Sequence, residues 1–304
     1  MKSATYNLKS GAAYLGDLVD GYQAGTIPPG VDPDYIYYVN NNGLSGVLGS
    51  DSYSGKSWED PFLTIGAART AANARINWSY TPLLYACIFV APGVYPELVS
   101  FPYYCYIIGT GVQGTDTAAE IHPTTGSCMS GTMLGTILYN LWFETNEAVD
   151  CLNVGVCNNS EVAGCTFANG AAVAATALST DNCTHLHFHH NSVETGQTTG
   201  MNYGLYFQGG ADKYAHNVRI YDNVFFCTTS AIWIQNTCTA SQALAVHNFM
   251  GGGTKPIDDN QGGLYCFENY ISGTDAIEHA GGATFTVGNH VANAGTGAME
   301  VSGS

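Results

Sequence analysis

The sequence predicts an all-β fold, a single-stranded right-handed parallel β-helix with an N-terminal capping helix. Three observations predict it: a recurring strand-and-Asn phrase at near-constant spacing, a second phrase that keeps step with it, and a composition suited to short strands and tight turns. The first phrase alternates apolar residues, then places an Asn, then an apolar residue two positions on. It reads His187-Phe188-His189-His190-Asn191-Ser192-Val193 and returns around Asn223, Asn248, Asn269 and Asn289. Weaker copies without the Asn lie at Leu138–Phe143 and Val162–Phe167. From Leu141 and Cys165 through the five Asn residues the spacings are 24, 26, 32, 25, 21 and 20. The second phrase, at Gly204-Leu205-Tyr206-Phe207, Ala231-Ile232-Trp233-Ile234, Pro256-Ile257-Asp258, Ala276-Ile277-Glu278 and Ala298-Met299-Glu300-Val301, recurs at 27, 25, 20 and 22 residues.

Period-2 alternation gives strands with one face turned inward. About 20–26 residues hold roughly three short strands and their turns, one coil of a solenoid, and no coil buries its inner face alone. Asn fits the turn because it tolerates left-handed backbone and its amide can hydrogen-bond along the stack. Asn191, Asn223, Asn248, Asn269 and Asn289 are therefore read as a structural turn ladder. The apolar pair sits at −4 and −2 from Asn in the last three coils and at −5 and −3 in the coils of Asn191 and Asn223, which a one-residue change in turn length would reconcile.

Composition agrees. The 304 residues are 45% hydrophobic and 11% charged, with 37 Gly and 20 Tyr. A charged share well below the average of about 25% excludes a disordered chain and a Glu/Lys-rich bundle. The net charge of −16, from 8 Lys plus Arg against 24 Asp plus Glu, argues against nucleic-acid binding. It also argues against a polyanionic polysaccharide, because only Lys213, Arg219 and Lys255 follow Arg75. No apolar run reaches the ~18 residues of a membrane span. The N-terminus has no apolar signal core. The 10 Cys contain no CxxC pair or zinc-type cluster, so neither metal nor cofactor is expected, and most read as small buried apolar residues. Cys105, Cys128 and Cys151, each 23 apart, suggest a stacked thiol row.

The chain divides into an arm or attachment segment at 1–34, a capping module at 35–97 with a helix near 63–75, and coils from 98 to 304. Within the module, Tyr37-Tyr38-Val39, Gly49-Ser50-Asp51-Ser52, Gly55, Pro61-Phe62 with Thr64-Ile65 and Ala67-Ala68, and Val90-Ala91-Pro92-Gly93-Val94-Tyr95 with Glu97 are quoted from one run of sequence. Together they resemble the N-terminal module of the pectate-lyase-like right-handed β-helix superfamily, which includes polysaccharide lyases and the β-helices of bacteriophage tailspikes and other virion proteins. The resemblance implies that the helix plugs the open end of the solenoid. It specifies fold and leaves activity open.

Candidate chemistry is sparse. Sugar cleavage on such a fold needs paired carboxylates, or a base with a cation. Asp258-Asp259 is an adjacent acidic pair with Lys255 nearby, although neighbours in a strand alternate faces. The Gly-His-Gly and Arg-x-Lys that resemblance to polygalacturonases would require are absent. His185, His187 and His189 share a strand face, too widely spaced at ~6.6–7 Å for one ion to suit all three. His190, Asp222, His247 and Glu268, each preceding the anchor Asn, would stack as a ladder of alternating base and acid; Asp181 and Glu194 flank the His strand. Tyr203, Tyr206, Tyr214, Tyr221 and Trp233 fall in neighbouring coils and suit an uncharged glycan, or equally core and subunit packing. The ligand-binding candidates are Tyr206, Tyr221, Trp233, His187 and His189; the catalytic candidates are Asp258 and Asp259.

The expected function is a structural or adhesion protein of a virion, of tailspike, fibre or capsid-decoration type, contacting a surface glycan. The alternative is a polysaccharide lyase or glycoside hydrolase working in a groove, with an extracellular location. The last coil would leave an open edge, so a homo-oligomer or a contact with other virion proteins is expected; the tailspike resemblance implies a trimer.

Overall fold

The computed structural model describes residues 27–28, 30–43, 47–75, 84–112, 118–171, 174–194, 201–273, 277–279 and 285–292. Most of the proposed arm, residues 1–26, and the last copy of the second phrase, Ala298–Val301, lie outside them. Every strand pairing between successive coils is parallel, and together they wind the chain into a β-helix. Among the described residues no helix is long and apolar enough to cross a membrane.

One column defines the solenoid. Tyr37, Ile88, Ile107, Leu138, Val162, Phe188, Ile220, Ala245, Cys266 and Thr286 are successive register partners on the strand that precedes the Asn turn. Stacking thus begins with the strand Val31–Val39, which spans the boundary read between the arm (1–34) and the capping module (35–97). On the strand after the turn, Tyr95, Ile121, Phe143, Phe167, Val193, Phe225, Met250, Ile271 and Val291 form a second column. Phe143, Phe167, Phe188 and Phe225 stack through the interior at 5.2, 5.8 and 6.1 Å.

Helix α1 (Ile65–Ala74) covers the first coils with Ile65, Ala68 and Ala72 buried. Its start is heavily capped. The Thr64 hydroxyl accepts from the Ala67 N–H, and the Glu97 carboxylate accepts from the Ile65 and Gly66 N–H groups at 2.7 and 2.9 Å. Asp51 in turn accepts from the Leu63 and Thr64 N–H groups. The residues that carried the family resemblance are therefore the ones that build this cap.

The Asn ladder forms in full. Each Asn accepts, on its side-chain oxygen, the backbone N–H of the anchor one coil earlier: Cys165, Asn191, Asn223, Asn248 and Asn269 donate to Asn191, Asn223, Asn248, Asn269 and Asn289 at 2.9–3.1 Å. Its amide donates to a backbone carbonyl on the preceding coil, as Asn248 does to Ile220. Left-handed backbone falls not on Asn but on the residue before it: Asn140, Gly164, His190, Asp222, His247, Glu268 and Gly288 all have φ between 50° and 69°. A second left-handed corner precedes the same strand, at Tyr104, Gly135, Asn159, His185, Asn217, Gln242 and Gly263.

This corner corrects the expected interior phase. Residues −5 and −3 from Asn point inward in the coils of Asn191, Asn223, Asn248 and Asn269, including Ala243 and Ala245, then Leu264 and Cys266. Leu244, Val246, Tyr265 and Phe267, expected inside, face outward. The left-handed residue between strand and Asn resets the alternation by one, so no change in turn length is needed. The thiol row also differs. Cys128 stacks on Cys151 and Cys157 pairs in register with Cys183, whereas Cys105 lies on the strand before the Asn turn. All 10 thiols are free and buried.

Candidate functional site

Two groups of outward side chains stand out, on different strands of the coil. The first lies on the strand bearing the second phrase. There Asn153, Ser179, Tyr206, Trp233, Asp258 and Glu278 are successive register partners; Asn153, Tyr206, Trp233 and Asp258 face outward, while Phe207 and Ile234 beside them face in. The Trp233 indole stacks on Tyr206 at 4.5 Å and on Tyr203 at 4.7 Å. The two tyrosine rings lie 5.8 Å apart. The Tyr206 hydroxyl donates to Gln235 Oε1 at 2.6 Å, which also accepts from the Gly209 N–H. The Trp233 indole N–H is buried and has no acceptor among the described residues.

Carboxylates border this aromatic group. Asp258 accepts from the Asn260 amide at 2.8 Å. Asp150 accepts from the Ser179 hydroxyl, and Asp181 pairs with Lys213 at 2.5 Å. Burial first, then the Asp258 charge, pushes the Tyr203 hydroxyl up; burial, then Tyr203, Asp150 and Asp181, does the same to Tyr206. Both phenols stay protonated at neutral pH and can donate.

The adjacent acids do not converge. Asp259 is fully buried in the inward column below Ile234 and accepts the Gln261, Gly262 and Leu264 N–H groups, closing a turn. Asp258 alone reaches the outer face. Alternation of side chains along the strand separates them.

The second group flanks the Asn turn. The His189 ring is buried beneath Tyr221, stacked at 4.5 Å and 7°. Its Nε2 lies 2.8 Å from Glu161 Oε1, which also accepts the Tyr139 hydroxyl at 2.5 Å, and its Nδ1 lies 2.8 Å from His190 Nδ1. His190, Asp222, His247 and Glu268 then continue along the corner. The His190–Asp222 and Asp222–His247 contacts are 3.7 Å each, and His247–Glu268 is 2.6 Å. The base-and-acid ladder read from sequence is thus present, and Glu161 and Tyr139 extend it onto the neighbouring strand. Those two were missed because nothing in sequence places them beside His189; Glu161 is the register partner of His187, two positions along the strand from His189.

Burial acts on this group in one direction and hydrogen bonding in the other. Burial alone would raise the Glu161 carboxyl, but the His189 hydrogen bond, its charge and the Tyr139 hydroxyl hold it below the usual carboxylate range. Burial pushes His187 and His190 down, keeping them neutral. Of the ligand candidates, Tyr206 and Trp233 meet in the first group and Tyr221, His187 and His189 in the second. His185 turns away at its own corner toward Asn217, and Glu194 lies beside the Ser192 hydroxyl, apart from both groups.

Comparison with known proteins adds one similarity. No protein-family description matches the chain, and no curated protein does. Among solved structures it is similar to pectate lyase Pel9A, with a TM-score of 0.44 and 14% identity over 86% of this chain and 79% of that one. The stacked parallel coils by themselves show the fold, a parallel β-helix.

Proposed function

We propose that this β-helix is a structural and adhesive protein of a virion that contacts an uncharged surface glycan at Tyr203, Tyr206 and Trp233. The observation that carries the reading is the stack of three partly exposed rings with hydrogen-bonding groups at their edges: the Gln235 amide and the Asp258 carboxylate. Sugars combine apolar faces with hydroxyl rims, and such a surface offers a partner for each. Scarcity of Lys and Arg favours a neutral glycan over a polyuronate. Assembly as a homotrimer, or against other virion proteins, belongs to the same proposal; light scattering on the purified chain tests it, and a strict monomer at micromolar concentration counts against it.

Quenching of tryptophan fluorescence by a panel of neutral oligosaccharides tests the binding site. Trp233→Ala is expected to weaken the best ligand at least tenfold, with Asp258→Asn leaving the protein folded. Undiminished affinity in Trp233→Ala, or no ligand in the panel, overturns the assignment. A hydrolase or lyase is the second reading, favoured by Asp258 standing one rung from Trp233. Asp259 cannot be its partner acid; Glu278, the next register partner, sits one rung of ~4.8 Å away. New reducing ends or unsaturated products released by the wild type and abolished in Asp258→Asn would replace adhesion with turnover.

A further inference from the structure

The sequence led to an expectation of no metal because no Cys or His motif has ligand spacing. Stacking, however, brings together residues from consecutive coils on the strand after the Asn turn. Glu120 and His122 flank the inward Ile121 and so face outward together. Ile121 pairs with Phe143, which sets Glu144 beside His122 one rung on. Glu120 Oε1 lies 2.8 Å from His122 Nδ1, and Glu144 Oε1 lies 4.0 Å from His122 Nε2. One ligand atom from each of the three falls within 4.8 Å of the others. Each side chain is about three-quarters buried, with 22–23% exposure.

Two further observations bear on what this cluster holds. First, the side-chain oxygens of Asn146 and Glu144 converge above Gly170. A Cβ placed on Gly170 would lie 2.4 Å from Asn146 Oδ1 and 2.5 Å from Glu144 Oε1. Two acceptor oxygens thus share the space that a side chain would fill, and neither can donate to the other. Second, among the described residues the ion-pair contacts of Glu120 and Glu144 are to His122 and not to any Lys or Arg. Two partly buried carboxylates without a fixed cation are costly to desolvate.

We propose that Glu120, His122 and Glu144 form a site for one divalent transition-metal ion of the Zn²⁺ class, with the ion displacing the Asn146 amide nitrogen that lies 2.7 Å from His122 Nε2. One imidazole nitrogen with two carboxylates is a borderline donor set. It suits Zn²⁺ better than the all-oxygen preference of Ca²⁺ or Mg²⁺. Three protein ligands at about 2.0–2.2 Å leave a position for water. The rungs hold Glu120, His122 and Glu144 on hydrogen-bonded strands or directly beside them, so little backbone ordering is needed on binding. Gly170 is a positioning residue: it leaves room for the oxygens and touches the ion through none of its own atoms.

Calorimetric titration of ZnCl₂ into the intact, chelator-treated chain tests the site. One equivalent is expected to bind the wild type. His122→Ala and Glu144→Gln should each weaken that equivalent at least tenfold, and Gly170→Ala should weaken it without removing a ligand. Zn²⁺ should raise the thermal midpoint of the wild type more than that of any of the three variants; far-UV circular dichroism checks that each variant keeps its fold. No saturable binding by the wild type up to about 100 μM Zn²⁺, or an equivalent that survives in His122→Ala and Glu144→Gln, overturns the proposal. Tighter binding of Ca²⁺ than of Zn²⁺, undisturbed by His122→Ala, does so too, because it would take the imidazole out of the site.

Discussion

Around His189 three titrating groups share one thermodynamic sign. The Glu161 carboxyl is held below its ordinary value, and His187 and His190 below theirs. In each case the folded chain binds fewer protons than the unfolded chain does between the two pKa values, so stability rises with pH there. The imidazole contributions are complete above about pH 6.5 and are lost as pH falls through the lower folded values; the Glu161 contribution is complete above about 4.3 and is lost below that. Acidification from pH 7.5 to 5.5 should therefore lower the urea midpoint more in the wild type than in a His187→Gln/His190→Asn double variant. Asn is chosen at 190 because that position is left-handed, with φ 55°. Equal losses in both proteins would remove these two histidines as the cause.

At the scale of an element, the Asn ladder and the helix cap do similar work by different means. Asn248 donates to the carbonyls of Ile220 and Val246 and to Asn269 Oδ1, and accepts from the backbone and amide of Asn223. Asn248→Ala deletes these bonds and strands buried partners, at about 1–3 kcal/mol for each stranded group after relaxation. A net loss of about 3 kcal/mol is expected by urea denaturation; a loss under about 0.5 kcal/mol would mean that the ladder is ornamental. The turn also shows which part of an element was readable. The recurrence of Asn was plain in the sequence, and so was its stacking role. The inward phase of the strand before it was not, because Tyr265 and Phe267 carry larger apolar bodies than the small Cys266 that faces the interior. Hydrophobicity ranks residues; only the left-handed Glu268 between strand and Asn decides which face they take. Helix α1 is a different case. Asp51, Thr64 and Glu97 are distant in sequence and were legible there only as part of the family resemblance; the structure gives each its capping task.

For the whole molecule, charge is the dominant unbalanced quantity. With 24 acids against 8 bases, and Lys213–Asp181 the single Lys or Arg ion pair among the described residues, self-repulsion opposes the folded state. A change from about 10 to 150 mM NaCl shortens the Debye length from ~30 to ~8 Å, and it should raise the thermal midpoint. A midpoint that falls with salt would show that local attractive pairs outweigh the net field. The same scale governs the candidate sites. The aromatic group, the His189 network and the Glu120–His122–Glu144 cluster each join residues one coil apart. In sequence the cross-coil partners are separated by 21 to 32 positions.

From the residues alone, the solenoid and its Asn ladder could be derived. Each follows from a local rule repeated at one period, alternation or turn preference; the cap was implied by the family resemblance, and the facing of the aromatic residues was left open. Partnership across coils was decided by tertiary structure. That Asp258 and Asp259 part company, that Glu161 meets His189, and that Glu144 meets His122 depend on register. Register is set by corner geometry and loop length summed over each turn of the chain, and a shift of one residue would reverse every face.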